Sequence, residues 1–325
     1  MLNYIVRRLL YTIPTLLAIS FVSFSVIHLA PGNFLTAQCA FNAQADLERC
    51  KTEAVRLGLD KPWYMRYWLW LEGILFKWDW GYSFENHRPV FDLILERLPI
   101  TLLVTIPTFI FIWIVALPLG IYTSTHQYSL GDHTLTFFGF LGLSIPAFFF
   151  AYLLMYILVI YFGIVSVGGL FSQRFISAPW SWDRFVDYLQ HLWPIVVVVG
   201  GSAVAGLMRI MRGQMLDITG SQYIKTARAK GLQERKVIYK HAVRNAINPM
   251  ITIFGQSLNG LLSGSLITAI VLNIPNVERL LYEAILQKDD LVIMACLMLL
   301  ALALLIGNLF ADIALAFTDP RIRYD

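Results

Sequence analysis

Apolar residues fall in six long blocks along the chain, at about 9–29, 99–122, 134–164, 191–208, 249–275 and 290–317, with the polar residues gathered between them. At about 1.5 Å of rise per helical residue the first block makes a helix about 31 Å long, which matches a hydrocarbon layer of about 30 Å. The third would be about 46 Å long, so it must tilt or protrude. The pattern predicts an all-α integral membrane protein with six transmembrane helices. Pro14, Pro107, Pro118, Pro146 and Pro194 sit within or at the edges of these blocks. Kinks are expected there, tolerated because neighbouring groups satisfy the freed carbonyls.

Arg7 and Arg8 ahead of the first block give it a superficial likeness to a secretory signal. The run to Leu29 is long enough to span, and His28-Leu29-Ala30-Pro31-Gly32 makes a poor cleavage site. A retained first helix is expected.

Composition sharpens this. Hydrophobic residues make up 58% and charged residues 14%, against about 45–50% and about 25% in soluble domains. The net charge of +4 is too small to indicate nucleic acid as a partner. Its distribution says more. Six spans put both termini on one side, and the 209–248 loop carries nine Lys and Arg against only Asp217 and Glu234. The long 31–98 segment balances eight bases with nine acids, and long loops weigh little in the positive-inside rule. Both termini are therefore expected in the cytoplasm. This divides the chain into 1–30 (cytoplasmic N-terminus and first helix), 31–98 (a helical extracytoplasmic insertion), 99–317 (a transmembrane core containing the 209–248 loop) and 318–325 (a cytoplasmic tail).

The outer segment is rich in tryptophan, with Trp63, Trp68, Trp70, Trp78 and Trp80. Indole rings favour the headgroup level, so a helix along the outer membrane surface is expected, with contact to a solute-delivery protein as a second reading. Cys39 and Cys50 share this outer side, where disulfides persist. A bridge between them would contribute about 2–3 kcal/mol; two free thiols are the alternative. Cys296 reads as a packing residue, and no metal-ligand spacing occurs.

The basic loop contains Ser221-Gln-Tyr-Ile-Lys-Thr-Ala-Arg-Ala-Lys-Gly231-Leu-Gln-Glu-Arg-Lys-Val-Ile-Tyr-Lys-His-Ala-Val-Arg-Asn245. Gly231 separates two helix-patterned pieces and supplies the positive φ that a turn needs. Beyond it Val237, Ile238, Ala242, Val243, Ala246 and Ile247 recur at helical spacing, while Lys236, Lys240 and Arg244 form a cationic stripe. Such an amphipathic element suits anionic lipid headgroups. It equally suits a cytosolic protein that approaches closely over Thr226-Ala227 and Ala229. Physical grounds leave these two readings level, with a nucleic-acid role behind both.

No Gly-x-x-x-x-Gly-Lys-Ser/Thr phosphate cradle occurs, so the chain does not bind ATP by that device, and any energy it used would come from a partner or an ion gradient. Five of the six blocks contain no Asp, Glu, Lys or Arg, and the sixth has, beyond Asp290 at its very start, Asp312, one turn from Asn308. Asp312 suits a polar contact between helices, and His28 reads as an interface residue. Ion-coupled transporters need ionisable or unwound sites at mid-membrane, and the blocks do not offer them.

Thr226-Ala227-Arg228-Ala229-Lys230-Gly231, with His241 and Arg244-Asn245-Ala246, resembles the coupling-loop signature of bacterial ABC importer permeases in its dipeptide and oligopeptide version. The wider family opens this loop with Glu-Ala-Ala and later carries a proline; here Lys225-Thr226-Ala227 and Arg244 stand at those places, as in the peptide branch generally. Tyr4-Ile-Val-Arg-Arg-Leu with Pro14 and Pro31-Gly32, Leu57-Gly-Leu-Asp-Lys-Pro62, Asp79-Trp-Gly81-Tyr-Ser83, Gly142-Leu-Ser-Ile-Pro146 and Asp319-Pro-Arg-Ile-Arg323 extend the likeness in order over almost the full length. The chain resembles the B-type member of the usual permease pair. It departs at Ile274-Pro275-Asn276-Val277-Glu278, where the family has a Gly-rich Leu-Pro-Gly-Leu-Gly; Pro275 and Asn276 are expected to keep the turn.

The resemblance implies the six-helix permease fold of the bacterial cytoplasmic (inner) membrane. It implies a second permease subunit, two cytoplasmic ATPase subunits, an extracytoplasmic solute-binding protein and surrounding lipid as partners. No cofactor is expected in this chain, which is not an enzyme; ATP and magnesium belong on the ATPase subunits. Residues 223–245 would lie in a groove on one of these, docking through Tyr223, Thr226, Ala227, Arg228, Ala229, Lys230, Gly231, Lys236, Lys240, His241, Arg244 and Asn245. Peptide is the expected cargo and di- or oligosaccharide the alternative; the substrate-binding residues are not legible. The competing class is a membrane scaffold or receptor whose basic loop binds lipid or a regulator.

Overall fold

A computed structural model describes residues 2–29, 61–164, 168–263 and 266–318. Cys39 and Cys50, with their expected bridge, lie outside the described residues, as do 30–60 and the 319–325 tail. The main helices are α1 (Leu2–Leu29), α2 (Trp63–Glu72), α3 (Val90–Thr125), α4 (Leu130–Ser144), α5 (Ala147–Phe162), α6 (Trp182–Thr219), α7 (Gln222–Ala229), α8 (Val243–Ser263), α9 (Leu266–Val271), α10 (Val277–Gln287) and α11 (Asp290–Thr318). Among the described residues the one β-type pairing is an isolated bridge from Tyr82 to Pro89.

Among the described residues four helices are long and apolar enough to cross a membrane: α1 from Val6, α3, α6, and α11 as far as Phe310. The pair α4 and α5 makes a fifth if it counts as one span. The described residues of the 249–275 block form α8 and α9, neither of which is among these.

The 134–164 block is not the single rod from which its length was reckoned. It breaks between Ser144 and Ala147 with a bend of 107°. Pro146 has no N–H to continue the helix, and its ring drives the preceding residue out of the α region. Ile145 accordingly sits at φ −88°, ψ 122°. At the far end Gly163 takes φ +65° and closes α5 with N–H bonds from Gly163 to Val159 (3.2 Å) and from Ile164 to Leu158 (3.0 Å). Along α5 the side chains of Phe149, Tyr152, Tyr156, Tyr161 and Phe162 are exposed, as a lipid-facing helix requires.

The chain divides into two compact units, Met1–Thr101 with Pro275–Leu305 and Leu102–Ile274 with Ile306–Asp325. In the first, Val90, Leu93 and Ile94 pack with Val277, Leu280, Ala284, Val292 and Cys296. An aromatic ladder joins α1 to α2: Phe21 meets Tyr67 edge-on at 5.5 Å, and His28 stacks on Trp63 at 6.1 Å. Ser20 and Tyr67 share a hydroxyl hydrogen bond of 2.9 Å. The tryptophan-rich stretch thus has two faces, with Trp70 buried against Phe24 and Met294 and with Trp68 and Trp78 exposed.

Asp79-Trp-Gly81-Tyr-Ser83 is a tight clasp in this unit. Asp79 Oδ1 accepts from Gly81 N at 2.9 Å, and Gly81 takes φ +89° with Leu291 so close that a Cβ would lie 2.8 Å from its Cδ1. Ser83 Oγ donates to the buried Asp289 carboxylate at 2.6 Å, which also accepts from Glu85 N at 3.3 Å. Burial pushes the Asp289 carboxyl above the usual carboxylate range, partly offset by the Ser83 hydrogen bond. Asn276 caps α10, its side chain accepting from Arg279 N at 3.0 Å, while Thr101 Oγ1 accepts from Val277 N at 3.0 Å.

In the second unit α6 packs against α4, α5 and α8. Its buried methionines Met208, Met211 and Met215 join Met250 of α8 and Ile112 and Ala116 of α3 in one core. Unbranched methionine fills irregular gaps between crossing helices. Gly120 lets α3 approach α6 closely, since a Cβ there would lie 2.6 Å from that of Met211.

Candidate functional site

The basic segment folds into a bent helical element. α7 ends at Ala229, and two residues on Gly231 takes φ +74°. Gly231 N donates to Arg228 O at 2.9 Å, and Leu232 N donates to Ala227 O at 3.4 Å. That pair of bonds is the Schellman arrangement, which satisfies the last carbonyls of a helix and needs a residue in the left-handed region. A short turn at Glu234–Lys236 follows, then a wide π-helical turn over Val237–Ala242 that runs into α8.

The wide turn corrects the regular helix expected beyond Gly231. Val237, Ala242 and Ala246 are all fully buried, and their spacings are five and then four residues. A regular 3.6-residue period would rotate Val237 away from the other two; one extra residue in the turn keeps all three on the core side. With Ile224 and Ala227 of α7 they join the methionine core of α6. The apolar face is therefore internal and fixes the element to its own helices. Ala227, expected at the docking surface, faces this core instead, because its position on α7 is one turn from Ile224.

Two side-chain clips span the bend. Arg228 grips Glu234 with Nη2–Oε1 at 2.7 Å and Nε at 3.2 Å from both oxygens. This hydrogen bond holds the Glu234 carboxyl below its usual range and raises the Arg228 guanidinium. Asn245 Nδ2 donates to Tyr223 OH at 2.9 Å and to His241 O at 3.0 Å. Among the expected residues, Tyr223 and Asn245 are thus drawn together, and Arg228 takes Glu234, outside that set, as its partner.

Thr226, Ala229, Lys230, Gly231, Lys236, Lys240 and Arg244 are exposed, and His241 is half-buried. Tyr223, Leu232 and Tyr239 add exposed apolar surface beside these cations. The outward face is thus mixed, cationic with aromatic and aliphatic patches, on a backbone turned at a defined angle.

Arg212 separates from this surface. The charge count places it in the loop, but it lies on α6 and forms a two-pronged pair with Asp132. Asp132 is buried, and its carboxylate also accepts from Tyr128 N at 3.0 Å and Thr136 Oγ1 at 3.2 Å. Asp132 is also the third residue beyond Ser129, whose Oγ accepts from Asp132 N at 3.1 Å. Ser129-x-x-Asp132 ahead of an apolar block is the signal that could have marked a helix start there. Nothing in the sequence names Arg212 as its partner, 80 residues away.

Residues 116–324 match the family described as binding-protein-dependent transport system inner membrane component, and residues 1–105 match the N-terminal part described for such membrane components. The chain is 36% identical to the oligopeptide transport system permease protein AppB of Bacillus subtilis, the match covering all of both chains. It is 30% identical to the dipeptide transport system permease protein DppB of Escherichia coli K12, over all of this chain and 99% of that one. It is 31% identical to the glutathione transport system permease protein GsiC of Shigella boydii over both full lengths. A bent amphipathic element anchored on apolar helices, in a chain matched from end to end by permeases, leaves one assignment: this protein belongs to the binding-protein-dependent transport system inner membrane components and is a multi-pass permease subunit.

Proposed function

We propose that the chain is one of two permease subunits of an ABC importer for di- and oligopeptides, coupled to cytoplasmic ATPases through residues 223–245. The observation that carries this reading is the division of that element into two faces. Ile224, Val237, Ala242 and Ala246 are buried in the permease core, so a force on the exposed cationic face passes into α6 and α8. The names of the relatives, which concern oligopeptides, dipeptides and glutathione, favour peptide over oligosaccharide.

In this reading six helices cross the membrane, the 249–275 block supplying the sixth, and both termini lie in the cytoplasm. A binding protein delivers the solute from outside, and ATP closes the two ATPase subunits and draws the coupling elements together. The helices then rotate between outward and inward openings. This chain performs no covalent step. It contributes half of the pathway and one rigid lever, bent at Gly231 and clipped by Arg228–Glu234 and Tyr223–Asn245.

Replacing Gly231 with valine tests the lever. A β-branched residue is strongly disfavoured at φ +74°. The assembled importer should keep its subunits and its ATP hydrolysis but lose peptide uptake. Transport at the wild-type rate would remove the coupling role. A chain that purifies stably without a second permease or ATPase would favour the scaffold class instead.

A further inference from the structure

Within the second unit α4 crosses α6 closely, and three contacts set the register. A Cβ on Gly142 would lie 3.9 Å from that of Ala205, a Cβ on Gly139 would lie 2.8 Å from Met208 Cε, and Asp132 pairs with Arg212. The two helices therefore run antiparallel here. Beside the crossing lies a groove of about 160 Å³. Leu143 and Ala205 line it towards one end and Arg209 and Arg212 towards the other, and no carboxylate is among its lining residues.

Two observations give this groove a chemistry. The first is its charge. Arg209 is exposed, and among the described residues its side chain has neither an ion pair nor a hydrogen bond. It lies three residues before Arg212, on the same helix face. Asp132 balances Arg212 through Nε and Nη2, so the unspent positive charge of the groove is that of Arg209. The second observation is the level at which this charge sits. On α6 the uncharged block 191–208 stops at Arg209, and on α4 the apolar block begins just after Asp132. The Asp132–Arg212 pair holds these two boundaries at one height, where hydrocarbon gives way to headgroups. From there the exposed side chains of Phe140 and Leu143 continue along α4 into the apolar zone.

We propose that this groove is a binding site for one anionic glycerophospholipid, its phosphate accepting from the Arg209 guanidinium and an acyl chain lying over Phe140 and Leu143. Basic pockets between membrane helices hold anionic headgroups in this way. The groove is smaller than the about 300–1,000 Å³ of sites that enclose a whole small molecule, as suits one that seats only the headgroup end of a lipid. A choline or ethanolamine headgroup brings its own cation towards the two arginines and is disfavoured. The bound lipid bridges α4 and α6 beside the Asp132–Arg212 pair and so tightens the same crossing. The inference depends on neither the cargo nor the coupling role.

The test purifies the full chain, with the subunits that accompany it, in a neutral detergent and titrates it with dioleoyl phosphatidylglycerol or dioleoyl phosphatidylcholine. Bound lipid is read by native mass spectrometry, and the thermal midpoint is followed alongside. The wild type should hold phosphatidylglycerol about fivefold more tightly than phosphatidylcholine, and its midpoint should rise with the anionic lipid. Arg209→Gln should weaken phosphatidylglycerol about five- to tenfold and leave the midpoint without lipid unchanged. Arg209→Lys keeps the charge and should stay within about twofold of the wild type. Arg235→Gln deletes a charge of the same sign from the exposed basic segment and should also stay within about twofold. Equal losses in Arg209→Gln and Arg235→Gln, or phosphatidylglycerol held no better than phosphatidylcholine, would mean diffuse attraction to a basic face and overturn the site. Stabilisation by inorganic phosphate equal to that by the lipid would make this a free-anion site and overturn the lipid assignment.

Discussion

The guanidinium of Arg212 meets the carboxylate of Asp132 in two parallel bonds, Nε–Oδ1 at 3.1 Å and Nη2–Oδ2 at 2.9 Å. The pair locks the start of α4 to α6, one turn beyond the buried Met208. Removing one member of a buried pair leaves the other without compensation. Arg212→Met should therefore lower the stability of the purified protein by about 3 kcal/mol, read as a fall in the thermal midpoint. The double variant Asp132→Leu/Arg212→Met should recover most of that loss. A single-variant loss that the double change leaves untouched would mean the two residues act separately.

The clips over the Gly231 bend are exposed and should contribute little to global stability, about 0.5 kcal/mol for the Arg228–Glu234 pair. Their effect is local. Glu234 is held below its ordinary pKa, so the pair is complete above about pH 4.3 and is lost as pH falls through the lowered value. At neutral pH Glu234→Gln combined with Asn245→Ala should speed amide hydrogen exchange over 228–245 and leave the melting temperature almost unchanged. Unaltered exchange there would show that the backbone alone holds the bend.

Gly81 combines φ +89° with the Leu291 side chain against its α-carbon. Gly81→Ala should cost about 1–3 kcal/mol from backbone strain, even after Leu291 moves aside. A melting temperature equal to the wild type would contradict the strained geometry.

Asp289 has the opposite sign from Glu234. Its folded pKa is raised by burial, so ionisation opposes folding. The stabilising, protonated form is complete below the unfolded pKa of about 3.9 and is lost as pH rises through the folded value. Asp289→Asn retains an acceptor for Ser83 without the charge. The stability of the wild type relative to this variant should therefore grow as pH is lowered through the raised folded value towards the unfolded one of about 3.9. A difference that moves the other way would mean that Asp289 is held ionised.

Much of the bent basic element is legible in the residues alone. Gly231 as the bend follows from the need for positive φ between two helical patterns, and its Schellman bonds obey the same local rule. The apolar set Val237, Ala242 and Ala246 is also legible, though not the wide turn that lets all three face inward. The burial of Ala227 in the core is not legible, because a short helix shows which residues share a face but not which face meets the core. The partners Glu234 and Asp132 are not legible, because each needs a residue of the opposite charge brought up by the fold.

The sequence by itself determined that this is a helical membrane protein, where its basic element lies and where that element bends. Those properties depend on runs of apolar residues, on local charge and on the φ angles open to glycine, all of which act over a few neighbouring positions. Only the tertiary structure decided that Arg212 pairs with Asp132, 80 residues away, and that Ile224 and Ala227 join Met211 and Met250 in one core. Each depends on helices remote in sequence packing side by side, and the energy of such contacts is not written in any one segment.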